Sequence, residues 1–356
     1  MEIQNPRWKI LSCLGVAFLF LLESNDARSQ ADFYNGKSIT FIQATEPGGT
    51  GDLRARALIS SLQKHIPGNP AIISEYMPGG GGRKAANHMY RVARPDGLTF
   101  AWVSVGAINS AVLREPGVQY DIDKFTYLGS THSRTSYTFK TRKEAGLDTL
   151  EKLRTASGVR IGGQSVGHPV YDAGRLFAWI ISLKEPKFVT GYSGTDLDVA
   201  LLQGEIDARA NISDTVLERN PGWIKEGLVH FHAVMEIPKG FRTRHPAFDS
   251  LPSLESLTRT DTQRRVLGMF RNFRVLGSPY ILPPGTPKDR VEVFKTAFRR
   301  AFNEPEFLKQ YKKFTGTDAS PLLPEEQAKA IQETPRDPET IAIFKKIAGG
   351  EPLPPP

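Results

Sequence analysis

Cysteine is all but missing. The chain of 356 residues contains one, Cys13, and it lies inside the apolar stretch at the N-terminus, so nothing beyond residue 31 can form a disulfide or supply a thiol nucleophile. Long apolar runs are missing too. After Leu22 no segment approaches the ~20 apolar residues that a membrane-spanning helix needs. Lys and Arg outnumber Asp and Glu by 46 to 38, giving a net charge of +8, yet no basic run is interleaved with aromatic residues. The excess favours anionic ligands, and no nucleic-acid partner is expected. A Walker sequence is absent, and Gly49-Thr50-Gly51 lacks the third glycine of a dinucleotide fingerprint because Arg54 stands in its place. His230 and His232 alternate on a predicted strand without a nearby carboxylate or cysteine, so no metal is expected. No nucleophile elbow is read, no cofactor or catalytic residue is expected, and an exported enzyme is the lesser alternative.

The composition is that of a globular protein, 39% apolar and 24% charged, and the length allows two domains. Residues 1–31 read as a cleaved export signal. Arg7 and Lys9 precede the apolar run Ile10 to Leu22, and Ser29-Gln30-Ala31 offers small residues where a signal peptidase reads. The run is too short for a membrane anchor. The expected mature chain starts at about Asp32 and is periplasmic.

The chain is organised around Ser38 to His65. The extended segment Ile39-Thr40-Phe41-Ile42 runs into Pro47-Gly48-Gly49-Thr50-Gly51-Asp52 and then into a helical pattern with Leu53, Ala57, Leu58, Leu62 and Ile66 on one side. Asp52 stands where an N-cap carboxylate would accept the first amides. Glycines ahead of a helix N-terminus leave N–H groups open toward one spot, backed by the helix dipole, and such a spot binds anions. The blander reading is a tight connection whose glycines supply positive φ.

A strand at Ala71-Ile72-Ile73-Ser74, a glycine run Met77-Pro78-Gly79-Gly80-Gly81-Gly82, a helix from Arg83 to Ala93, the turn Pro95-Asp96-Gly97 and a strand from Leu98 to Val103 follow. This alternation predicts an α/β sheet whose ligand loops lie at the carboxyl ends of the strands, Glu46 to Gly51 and Ser104 to Asn109 among them. These motifs, followed by Tyr120-Asp121 with Phe125-Thr126, Leu201-Leu202-Gln203-Gly204-Glu205-Ile206-Asp207, Leu251-Pro252-Ser253-Leu254 and Pro284-Gly285-Thr286-Pro287, come in order over the whole mature chain. In this the chain resembles the periplasmic substrate-binding proteins of tripartite tricarboxylate transporters, the Bug family.

The resemblance implies an α/β, two-lobed clamshell of the type II periplasmic binding-protein fold. Lobe 1 is expected at 32–131 and 273–356, and lobe 2 at 132–272. A small carboxylate would be captured without turnover by a monomer and delivered to membrane transporter subunits. A sensor that presents its liganded form to a membrane receptor uses the same fold, and neighbouring genes for one small and one large multi-spanning protein would separate the two. In the second lobe, Val159-Arg160-Ile161-Gly162-Gly163 is a strand entering the loop Gln164 to Pro169, ahead of a helix with Ala173, Leu176, Phe177 and Ile180 on one side. Gly191 to Thr195 follows the Lys187-Phe188-Val189 strand. The ligand-binding residues expected are Gly48, Gly49, Thr50, Gly51, Asp52, Ser104, Gly163, Gln164, Ser165, Gly167, Tyr192, Ser193 and Gly194.

Some residues depart from the family's pattern. Glu46 stands where a small, apolar or aromatic residue is usual, Tyr76 replaces Asn, Ser193 replaces Lys and Gly191 replaces Pro. A carboxylate at 46 would repel a carboxylate ligand unless it points away, which puts a dicarboxylate in question. Arg271 and Arg274 are read on a crossing strand. Lys288 to Asn303 is read as a surface helix packed on the first lobe through an apolar stripe of Val291, Phe294, Phe298 and Ala301 or Phe302, His168 as a loop residue, and Glu351 to Pro356 as a proline-rich tail without fixed structure.

Overall fold

The computed structural model describes residues 33–48, 50–192 and 194–355. The proposed signal segment therefore lies outside the described residues, as do Gly49 and Ser193. The described chain divides into two compact units. The first holds residues 33–107, 117–131 and 278–328, and the second holds 108–116, 132–277 and 329–355. The expected boundaries gave all of 273–356 to the first unit, whereas 329–355 packs on the second.

In chain order the first elements are β1 (Ser38–Gln43), α1 (Thr50–Gln63), β2 (Ala71–Tyr76), α2 (Arg83–Arg91), β3 (Thr99–Trp102), α3 (Val105–Val112) and β4 (Thr126–Gly129). The second sheet is then laid down by β5 (Thr135–Arg142), β6 (Arg160–Gly162), α4 (Pro169–Ile181), β7 (Lys187–Val189), α5 (Asp196–Gln203), β8 (Ala208–Ile212), α6 (Ser213–Arg219), α7 (Pro221–Lys225) and β9 (Val229–Ile237). Last come α8 (Asp261–Val275), β10 (Tyr280–Leu282), α9 (Lys288–Phe302), α10 (Pro305–Thr315), α11 (Pro324–Gln332) and α12 (Pro338–Ala348).

The first sheet has the order β2-β1-β3-β10-β4, with β1, β2 and β3 mutually parallel and β10 antiparallel to both of its neighbours. Its core forms because Phe41 on β1 stacks on its register partner Phe100 on β3 at 4.5 Å between ring centroids. Phe294, Phe298 and Phe302 recur every fourth residue on α9; the first two meet Phe100 of that stack, Phe302 packs on Phe298, and Phe298 stands 5.1 Å from Tyr280. Six residues of α9 are buried along one side, Phe294, Phe298, Ala301 and Phe302 of the expected apolar stripe among them, so the helix packs on the first unit's core through that side.

The second sheet has the order β7-β6-β8-β5-β9. Its two faces differ in kind. Alternation on β5 and β8 puts Phe139 and Ala210 on one face, against the buried helix α4, where Phe177 stacks on Phe139 at 5.4 Å. The other face carries Lys140 opposite Arg209 and Thr138 opposite Asn211, all buried under α5, α6 and α7. From Val170 to Ile181 every residue of α4 is buried, as expected for a helix covered on both sides. The second cover is α12 and the proline-rich tail, which is held in place: Trp179 Nε1 donates to the Pro355 carbonyl at 3.1 Å and Arg175 donates to the Glu351 carbonyl. The tail thus has a fixed course.

Candidate functional site

In the first unit the parallel strands β1, β2 and β3 send residues 44–48, 77–82 and 103–104 off one sheet edge. Helix α1 starts at Thr50, two residues before the expected cap, which places Asp52 inside the first turn. From there its carboxylate reaches back. Oδ2 accepts the Gly48 N–H at 2.8 Å and faces Arg56 Nη2 at 2.8 Å. Oδ1 accepts from Tyr76 Oη at 2.9 Å and from Gln43 Nε2 at 3.3 Å. Burial pushes this carboxyl up, but the Gly48 amide, Arg56 and Tyr76 outweigh it and hold it below the usual range. Asp52 is fully buried and its oxygens are taken by the protein, so it shapes the loop and does not face an incoming anion. Tyr76, read as a departure, is one of its supports.

Gly51 is required by packing, since a Cβ there would lie 2.5 Å from Trp102 Cη2. Gly79, Gly80, Gly81 and Gly82 all have positive φ, and a Cβ on Gly106 would lie 2.6 Å from the Gly81 carbonyl. The second glycine run is thereby brought against the loop of Ser104, whose Oγ accepts the Gly106 N–H at 3.2 Å. Glu46 is exposed. Thr50 contributes its backbone to the helix start, and Gly49 lies outside the described residues.

In the second unit β6 runs parallel to β7 and β8, so 163–168, 190–192, 194–195 and Ser213 leave a common edge. Two of these loops are stitched together. The Gly163 N–H donates to the Val189 carbonyl at 2.9 Å, and the Gly191 N–H donates to the Gln164 carbonyl at 2.8 Å. A side chain at 163 would strike Tyr171 at 2.8 Å, and Gly167 has φ +77. His168 caps α4, its Nδ1 accepting from the Val170 N–H at 3.2 Å. Tyr192 turns its hydroxyl to Glu205 at 2.9 Å.

Gly163-Gln164-Ser165-Val166-Gly167 has the G-x-S-x-G spacing of a nucleophile elbow, contrary to the reading that the sequence holds none. The geometry differs from an elbow. Ser165 lacks the positive φ of a strained nucleophile, and α4 begins only at Pro169. His168 spends Nδ1 on the helix cap, leaving it unavailable to an orienting carboxylate.

Charged groups that the sequence reading did not single out sit beside this edge. Asp198 pairs with the buried Arg209 and, at 3.0 Å, with Arg219, while both guanidiniums also donate to the Gly194 carbonyl at 3.3 Å. Burial pulls Arg209 down to about 10, with Asp198 opposing, so it stays charged at neutral pH. Lys140 lies fully buried with Nζ 5.3 Å from the Trp223 ring centre. Burial, then Arg209, drives its pKa well down. The one available sequence signal was the alternation of Arg209, Asn211 and Ser213. His232 meets Thr141 Oγ1 at 2.8 Å within the sheet, and Arg271 lies on α8, not on a strand, donating to the Glu236 carbonyl at 2.9 Å. Arg274 is on the same helix.

No family model and no curated protein matches the chain. Solved structures do. A TctC solute-binding protein from Polaromonas aligns with 18% identity and a TM-score of 0.63 over 88% of this chain and 98% of its own. MatC from Rhodopseudomonas palustris with bound malate has 20% identity and a TM-score of 0.51 over 88% and 99%. An adipate-bound protein of R. palustris has 17% identity and a TM-score of 0.53 over 88% and 96%. The chain therefore has the α/β fold of these solute-binding proteins.

Proposed function

We propose that the protein is an exported solute-binding protein of the tripartite tricarboxylate transporter type, taking a small organic acid at its glycine-rich loops and handing it to membrane transporter subunits as a monomer, without turnover. The observation that carries this reading is the pair of carboxyl-edge loop sets, one per unit, each made of glycine-rich turns after parallel strands. Gly48, Gly49, Thr50, Gly51 and Ser104 in the first unit, and Gly163, Gln164, Ser165, Gly167, Tyr192, Ser193 and Gly194 in the second, are the proposed contacts. Asp52 serves by shaping its loop. Malate and adipate in structural neighbours support an organic acid as the ligand class. Cleavage before Asp32 and release into the periplasm belong to the same proposal, and no helix among the described residues is long and apolar enough to cross a membrane.

Charge-assisted hydrogen bonds contribute about 1.5–3 kcal/mol each, so a few suffice for micromolar affinity, near −8 kcal/mol. A thermal-shift screen of mono-, di- and tricarboxylates, aromatic acids and amino acids on the chain from Asp32 is expected to find a stabiliser. Stabilisation by neutral or cationic compounds alone would overturn the reading.

A further inference from the structure

Gly194 stands with its Cα facing nitrogen. Its chain neighbours aside, the three described heavy atoms nearest to a Cβ built there are all hydrogen-bond donors: Arg219 Nη1 at 3.5 Å, Gln164 Nε2 at 3.8 Å and Arg219 Nη2 at 3.9 Å. These donors face the open side of Gly194; the Cβ position itself is at bonding distance from Cα and holds no ligand atom, but an acceptor placed beyond it is within reach of these nitrogens, and a side chain at 194 would stand in its way. The charges agree. Arg209 and Arg219 share one carboxylate, Asp198, so the cluster keeps a surplus positive charge. Of the two arginines, the Arg209 side chain is 1% exposed and buried behind the loop, while that of Arg219 is 35% exposed and is the one an arriving solute meets. Both contacts of Arg219, to Asp198 and to the Gly194 carbonyl, use Nη2, and Nη1 is the nitrogen nearest the Cβ position. Asp198 also fixes the guanidinium, so little ordering remains to be done when a ligand binds.

We propose that Arg219 and Gln164 form the receptor for one carboxylate group of the ligand, and that Gly194 determines specificity by leaving room for an oxygen to reach them. This rests on the reading of the protein as an organic-acid binder and adds which end of the ligand the second unit takes. A planar guanidinium beside a primary amide matches a carboxylate, whose two oxygens accept in one plane, and discriminates against the carboxamide of the same shape, which brings its own N–H groups.

The test uses the chain from Asp32 with acetate, malate, adipate, citrate and benzoate, each beside its amide, read by calorimetry. Gly194 is outside the left-handed region of backbone, and the contacts of a methyl there are of ordinary van der Waals length, so Gly194→Ala is expected to keep the unliganded Tm while weakening the best acid by about 10-fold or more. In Arg219→Gln, Arg209 still neutralises Asp198, so the fold is kept, and the preference for acid over amide is expected to drop by roughly 10–100-fold. Arg219→Lys should restore charge without the planar fork and recover only part of that preference. If the wild type binds an acid and both Gly194→Ala and Arg219→Gln bind it equally well with the preference intact, the receptor is refuted while the proposed function stands. A wild type that binds none of the acids overturns the proposed function and this inference with it.

Discussion

Tyr76 donates its hydroxyl to Asp52 Oδ1 at 2.9 Å from the last position of β2, and this bond ties the end of one parallel strand to the loop that follows its neighbour. The carboxylate gathers Gly48, Gln43 and Arg56 as well, so one acid fixes three elements at the carboxyl edge of the first unit's sheet. Asp52→Ala is expected to lose about 2–4 kcal/mol in urea unfolding, because buried donors are left without an acceptor. Tyr76→Phe, removing one neutral hydroxyl, should lose about 1 kcal/mol. Equal, negligible effects from both would show that the loop keeps its shape without the network.

The strand, loop and helix units were legible in the sequence because each depends on near neighbours: β1 with Pro47 to Asp52 and α1, or β6 with Gly163 to Gly167 and α4. Partners distant in the sequence were not legible. Asp198 finds Arg209 and Arg219 only when α5, β8 and α6 pack together, and Arg175 meets carbonyls more than 170 positions away. Arg271 misled for a related reason. An arginine in an apolar stretch suggested a strand at the edge of a site, but on α8 it pairs with Glu255 at 3.0 Å inside the second unit.

Gly51 and Trp102 form a second test of the first unit's edge. Gly51→Ala puts a methyl into the indole and should cost about 1–3 kcal/mol. Trp102→Leu makes room for it, so the double variant is expected to be more stable than the sum of the two single losses. Simple additivity in the double-mutant cycle would mean that the close approach carries no energy.

Two buried groups set opposite pH limbs on the second unit. Burial raises Asp172 from 3.8 to about 8 against the pull of Arg175 and Arg274, so its contribution is lost as pH climbs from about 4 through 8. Burial, with His230 nearby, lowers His232 from 6.5 to about 4, so its contribution is lost as pH falls through that window. Between pH 6.5 and 8 the Asp172 limb acts without the other. Stability should fall there by up to about 2 kcal/mol, the most one proton can give over that span. Asp172→Asn is expected to flatten this limb, and His232→Gln the acid limb, in Tm measured against pH. A Tm profile of Asp172→Asn that still falls above pH 6.5 would assign the limb to another group.

Arg175 is buried inside the second unit without a carboxylate bonded to its guanidinium, its charge facing backbone oxygens of Lys346, Ile347 and Glu351. Tyr171 and Trp179, one helical turn to either side, donate to the carbonyls of Gly349 and Pro355. One stripe of α4 therefore holds the end of α12 and the tail beyond it, and the tail in return supplies acceptors that a desolvated guanidinium cannot do without. Deleting residues 349–356 removes the Glu351 acceptor and bares the stripe. The expected loss is about 3 kcal/mol, on the scale of stripping one partner from a buried charge. In an Arg175→Met background no buried charge is left to strand, so the same deletion should cost markedly less. That coupling separates a tail that neutralises Arg175 from one that only covers apolar surface, for which the deletion would cost the same in both backgrounds.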